Sequence, residues 1–70
     1  MTFGELLKQI RIQSGVTQEQ FAHELSVSFS TISRWENGHT SPSRLAKVRL
    51  IEFSKKNNID TSTLTELEKL

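Results

Sequence analysis

At four places in this 70-residue chain an apolar residue stands just before a Thr, Ser or Asp, and another follows that polar residue by four positions. The pairs are Met1/Leu6 around Thr2, Val16/Phe21 around Thr17, Val27/Ile32 around Ser28 and Ile59/Leu64 around Asp60. Each has the form of a hydrophobic staple. The polar side chain accepts from a backbone N–H of the first helical turn, and the two apolar groups fix the entry of the chain. Thr2 and Thr17 add the capping box, with Glu5 and Gln20 three residues on. Ser41-Pro42 is read as a fifth start, with Pro42 at the first helical position, where its missing N–H costs nothing. Ser14-Gly15, Asn37-Gly38 and Asn57-Asn58 supply stops, all with residues that tolerate the left-handed conformation.

The segments between these signals have helical periodicity. Phe3, Leu6, Leu7 and Ile10 recur at i, i+3, i+4, i+7. In the fourth segment Leu45, Val48 and Ile51 form one stripe and Ala46, Leu50 and Phe53 an adjacent one, so that helix is expected to be apolar over a broad arc and central to the core. Leu64, Leu67 and Leu70 mark a short last helix. No segment alternates like a strand. The expectation is an all-α fold of five short helices, a single domain over 1–70.

Such a chain has few other means of support. It has no cysteine, so neither a disulfide nor a thiolate metal site is expected. His23 and His39 stand far apart in unrelated contexts, and no metal or other cofactor is expected. No apolar run approaches the ~20 residues that span a bilayer, and no signal-peptide core follows Met1, which makes a cytoplasmic protein the expectation. No serine has a histidine base and orienting carboxylate beside it, and no Gly-rich loop or acidic cluster prepares a phosphate or metal site. An enzyme is not expected. The net charge of +1 hides an uneven distribution. Residues 34–56 carry an excess of four positive charges, while 1–33 and 57–70 are net acidic. That polarity suits one basic face and a polyanionic partner, although the pI near 8.2 is modest for one.

The second and third helices are separated by only Ser26 and Val27, between Leu25 and the cap at Ser28. So short a link forces a steep crossing, which is the geometry of a helix-turn-helix, here over 18–37. Counting Gln18 as the first position, such a unit needs a small residue at the fifth, where the helices touch, and Ala22 is there. It needs apolar residues at positions four, eight, ten, fifteen and eighteen, and finds Phe21, Leu25, Val27, Ile32 and Trp35. The ninth position, commonly a left-handed glycine, holds Ser26, at a strain of roughly 1 kcal/mol. Trp35, one turn from Ile32 on the inward stripe, is therefore expected in the core.

The stretch "TQEQFAHELSVSFSTISRWENGHTSPS" (17–43) resembles the helix-turn-helix of the Cro/cI-type, or XRE, family of prokaryotic and phage DNA-binding regulators. The resemblance implies a lambda-repressor-like domain whose third helix, 28–37, enters the major groove of double-stranded DNA. It places Ser28, Phe29, Ser30, Thr31, Ser33 and Arg34 toward the bases. Arg34 suits guanine O6 and N7. Phe29 occupies a position where similar proteins often carry an adenine-reading glutamine. A phenyl ring can instead pack on thymine methyls or fold back on its neighbours. Phosphate contacts are implied for Gln18, Asn37, His39, Thr40, Ser41, Ser43, Arg44 and Lys47. Arg11 and Glu36 match a family ion pair that ties the first helix to the end of the third, and Ala22, Ile32 and Trp35 take structural roles.

The expected function is sequence-specific transcriptional regulation, with repression favoured and a homodimer on a near-palindromic operator. The dimer contacts are expected from the end of helix four, Lys55–Asn58 and the Leu64/Leu67/Leu70 stripe, unless that stripe only covers the core. Two alternatives are a protein-interaction module that kept the fold without DNA binding, and the DNA-binding part of a larger regulator. The modest pI and Phe29 favour the interaction module; Arg34, Gln18 and the Arg44/Lys47 pair favour DNA.

Overall fold

A computed structural model describes residues 2–38 and 41–69, so the expectations at Met1, His39, Thr40 and Leu70 lie outside the described residues. Five helices follow one another: α1 Phe3–Ser14, α2 Gln18–Leu25, α3 Phe29–Glu36, α4 Arg44–Lys56 and α5 Thr61–Glu68. No strand occurs among the described residues. Both capping boxes form. The Thr2 hydroxyl accepts from the Glu5 N–H at 3.2 Å, and the Glu5 carboxylate accepts from the Thr2 N–H at 3.0 Å. The Thr2 N–H, and then its hydroxyl, hold the Glu5 carboxyl below its usual pKa. Thr17 and Gln20 repeat the arrangement at α2.

The start of α4 departs from expectation. Ser43, not Ser41, is the cap, and its hydroxyl accepts from the Ala46 N–H at 3.2 Å. Pro42 lies before the helix and is half-buried beside Phe3. Ser43 offers the same hydroxyl two residues later. Asp60 also fails as a side-chain cap, since its carboxylate accepts from the Ser62 hydroxyl instead. Gln13 of α1 instead ties down the start of α5 from a distance of 47 positions. Its Oε1 accepts the Asp60 N–H at 2.9 Å, and its Nε2 donates to Thr63 Oγ1 at 3.1 Å.

The core joins all five helices: Leu6, Leu7 and Ile10 from α1, Phe21, Ala22 and Leu25 from α2, Ile32 and Trp35 from α3, Ala46, Leu50 and Phe53 from α4, then Ile59 and Leu67. Phe21 and Phe53 meet with ring centroids 5.1 Å apart. The two stripes of α4 do not share this role. Leu45 is 60% and Val48 45% exposed, and Ile51 is only half-buried. Because α4 rests on α2 and α5, one side of it is covered and the other faces outward. Of the α5 stripe, Leu67 is fully buried and Leu64, half-buried, packs against the core, so both are largely engaged within the monomer.

Candidate nucleic-acid interface

Two turns of backbone decide how α3 is presented. At the end of α2, Ser26 takes the left-handed conformation (φ 57°, ψ 41°), as its position in the unit required. The N–H of Val27 then donates to the Ala22 carbonyl at 3.0 Å, and Arg49 of α4 donates from Nη1 to the Leu25 carbonyl at 3.2 Å. A cation at a helix C-terminus also suits the helix dipole. Ser28 then caps α3, accepting from the Thr31 N–H at 3.1 Å.

Three inward groups hold α3 against the body. Ile32 is fully buried, and Trp35 meets Phe3 edge-on with centroids 5.8 Å apart. The Glu36 side chain, 1% exposed, receives Arg11 Nε at 2.8 Å and Nη2 at 3.2 Å. The ion pair expected between α1 and the end of α3 is thus present and bidentate. A third donor, Gln18 Nε2, reaches the same carboxylate at 3.0 Å. No buried side-chain N or O among the described residues lacks a partner. Gly4 completes the attachment. A Cβ there would stand 2.8 Å from the carbonyl oxygens of both Trp35 and Glu36, so only glycine lets α1 approach so closely.

The opposite face of α3 is open. Ser28, Phe29, Ser30, Arg34 and Asn37 are exposed, and Thr31 and Ser33 are half-buried. Phe29 is 52% exposed and therefore not folded back into the core. The Ser28 and Thr31 hydroxyls lie 2.8 Å apart and satisfy each other, which leaves Ser30, Ser33 and Arg34 as the outward polar groups of this helix.

The residues implied as phosphate contacts divide. Ser41, Ser43 and Arg44 are exposed around the start of α4, where they line a cleft of about 390 Å³ with Phe3, Pro42 and Lys47. The Ser43 hydroxyl is engaged as the cap. Lys47 Nζ lies 3.4 Å from the Glu68 carbonyl, drawn toward the last turn of α5. Gln18 is half-buried, with one amide hydrogen on Glu36. The expected single basic face is narrower than the charge count implied. Arg49 is tied to the end of α2, and Lys55 and Lys56 stand roughly 17 Å along α4 from Arg44.

Three features escaped the sequence reading: the close approach at Gly4, the bond from Gln18 to Glu36, and the bonds by which Gln13 holds the start of α5. A glycine in the first turn of an otherwise strong helix was a signal for the first. The others join residues distant in sequence and have no local signature.

A family model described as helix-turn-helix matches residues 7–46. Over 42 residues the chain is 48% identical to the HTH-type transcriptional activator BcrR of Enterococcus faecalis. That match covers 60% of this chain but only 21% of the relative's length. No solved structure gives a significant match. With Ala22 at the helix contact, a left-handed Ser26 at the turn and Trp35 anchoring the second helix of the pair, the chain belongs to the helix-turn-helix family, of the XRE type.

Proposed function

We propose that this chain binds double-stranded DNA sequence-specifically and acts in transcriptional regulation, with α3 lying in the major groove. One observation carries the reading. A single eight-residue helix is fastened by its inner face through Ile32, Trp35 and the Arg11–Glu36 pair, while its outer face holds exposed Ser30, Arg34 and Phe29. A rigidly held helix with an open polar face fits the geometry by which helix-turn-helix proteins address base edges. Ser28, Phe29, Ser30, Thr31, Ser33 and Arg34 form the base-facing set in this reading. Gln18, Asn37, Ser41, Ser43, Arg44 and Lys47 flank the backbone, and such contacts set register. The name of the E. faecalis relative supports a role in transcription. Whether occupancy represses or activates depends on where the bound site lies relative to a promoter, so the proposal is of a regulator. No helix among the described residues is long and apolar enough to cross a membrane, which fits a protein working at DNA.

Selection of bound sequences from random duplexes, repeated at two salt concentrations, tests the proposal. A specific binder enriches a motif, and its affinity falls steeply as salt rises because phosphate contacts release counterions. No enriched motif at either salt overturns it. The exposed Ile12, Phe29, Leu45 and Val48 give the interaction-module reading its structural support, and that negative result would favour it.

A further inference from the structure

Among the six base-facing residues of α3, five are polar and one is a phenyl ring. Phe29 is the first residue of the helix, and the N-terminal end of a recognition helix is the part that meets base edges. Its ring is half in solvent, three positions before the fully buried Ile32. The polar groups around it are largely occupied. The Ser28 hydroxyl is shared between the Thr31 N–H and the Thr31 hydroxyl, and the Gln18 amide bonds to Glu36. The ring lines a cleft with Lys8, Arg11 and Gln18, of which Arg11 and Gln18 already donate to Glu36.

An aromatic edge gains nothing from the acceptors and donors that distinguish most bases. The one apolar group displayed in the major groove is the C5-methyl of thymine. A methyl at C5 of cytosine projects from the same ring position. We infer that Phe29 is a methyl reader: it selects a pyrimidine carrying a C5-methyl, so that 5-methylcytosine substitutes for thymine at the position it faces and unmodified cytosine does not. This rests on the DNA-binding reading above and deepens it, making the affinity of this protein for its site sensitive to cytosine methylation.

The test uses the whole chain and a duplex obtained by selection. Binding is measured by fluorescence anisotropy on that duplex and on variants with deoxyuridine at each thymine in turn, which removes only the methyl. Cytosine and 5-methylcytosine, each paired with guanine, are then compared at the sensitive position. One desolvated methyl predicts about fourfold weaker binding for deoxyuridine than thymine, and a similar recovery from cytosine to 5-methylcytosine. Phe29→Ala and Phe29→Gln should bind the thymine and deoxyuridine duplexes equally, retain salt-dependent binding and melt like the parent chain. The modified duplexes show with the unsubstituted protein whether a methyl is read, and the variants show whether Phe29 reads it. A chain that binds its selected duplex yet ignores every deoxyuridine overturns this inference alone. Methyl discrimination that survives in both folded variants also overturns it, by assigning the contact elsewhere. A chain that selects no duplex overturns both readings.

Discussion

Trp35 and Arg34 are neighbours in sequence with opposite fates, because successive residues of a helix point about 100° apart. Trp35 is 7% exposed and leans on Phe3, while the Arg34 side chain projects outward. The same substitution should therefore have different consequences at the two positions. Trp35→Ala is expected to cost ~3–5 kcal/mol of stability, the usual range for truncating a buried aromatic. That is a large share of what a small domain possesses. An unchanged melting temperature with defective DNA binding would show that the tryptophan serves the surface instead. Arg34→Ala is expected to leave the fold intact and relax preference at one base position, at ~1–3 kcal/mol for a lost bidentate contact. Repeating the duplex selection with this variant checks it; an unaltered motif would make Arg34 a phosphate contact or a bystander. Both orientations were legible in the sequence, since Ile32 and Trp35 mark the inward stripe. The companion of Trp35 was not. Gly4 is needed because the Trp35 and Glu36 carbonyls come within 2.8 Å of where its Cβ would be, and that contact spans more than thirty residues.

The helices repeat this division between local and distant information. The caps at Thr2, Thr17 and Ser28 and the left-handed stops at Gly15, Ser26 and Asn58 depend on a few adjacent residues, and the sequence shows them directly. The orientation of α4 depends on what packs against it. Its two apolar stripes are alike in periodicity, and the one holding the bulky Phe53 packs inward while Leu45 and Val48 remain outside. The start of α5 is tied down by Gln13, which accepts the Asp60 N–H, and no local pattern around Asp60 could have revealed that. Of the two non-glycine residues held left-handed, Asn58 is of a type that tolerates the conformation and Ser26 is the more strained. Ser26 holds φ 57° without being glycine, at roughly 1 kcal/mol. Ser26→Gly should relieve most of that and, after allowance for the freer unfolded chain, stabilise the domain by about 0.5 kcal/mol at most. Thermal melts should show this as a rise of a few degrees. A lower melting temperature would mean that the serine hydroxyl contributes more than the strain costs.

At the scale of the molecule, the open question is how so small a surface finds one site. The eight residues of α3 span about 12 Å, which covers only three or four base pairs. A genome offers so many competing sites that this reading alone confers little specificity. Two copies related by a dyad would double it, and a near-palindromic operator with half-sites about 34 Å apart is the matching DNA. Where the copies touch bears on when they associate. Leu64 and Leu67 are largely engaged within the monomer, so the apolar stripe of α5 does not supply a ready interface. Besides Phe29, the exposed large apolar side chains among the described residues are Ile12, Leu45 and Val48, and three side chains fall far short of the ~800 Å² per partner that a stable complex usually buries. Association in solution should accordingly be weak, and DNA should bring the copies together by holding both at high local concentration. Sedimentation is expected to find an 8.0 kDa monomer alone and two copies on a selected duplex. Inserting five base pairs between the half-sites turns one copy to the other face of the helix and should abolish cooperative binding. A saturated one-to-one complex on a site without internal symmetry would sink the two-fold arrangement, and specificity would then have to come from the single α3.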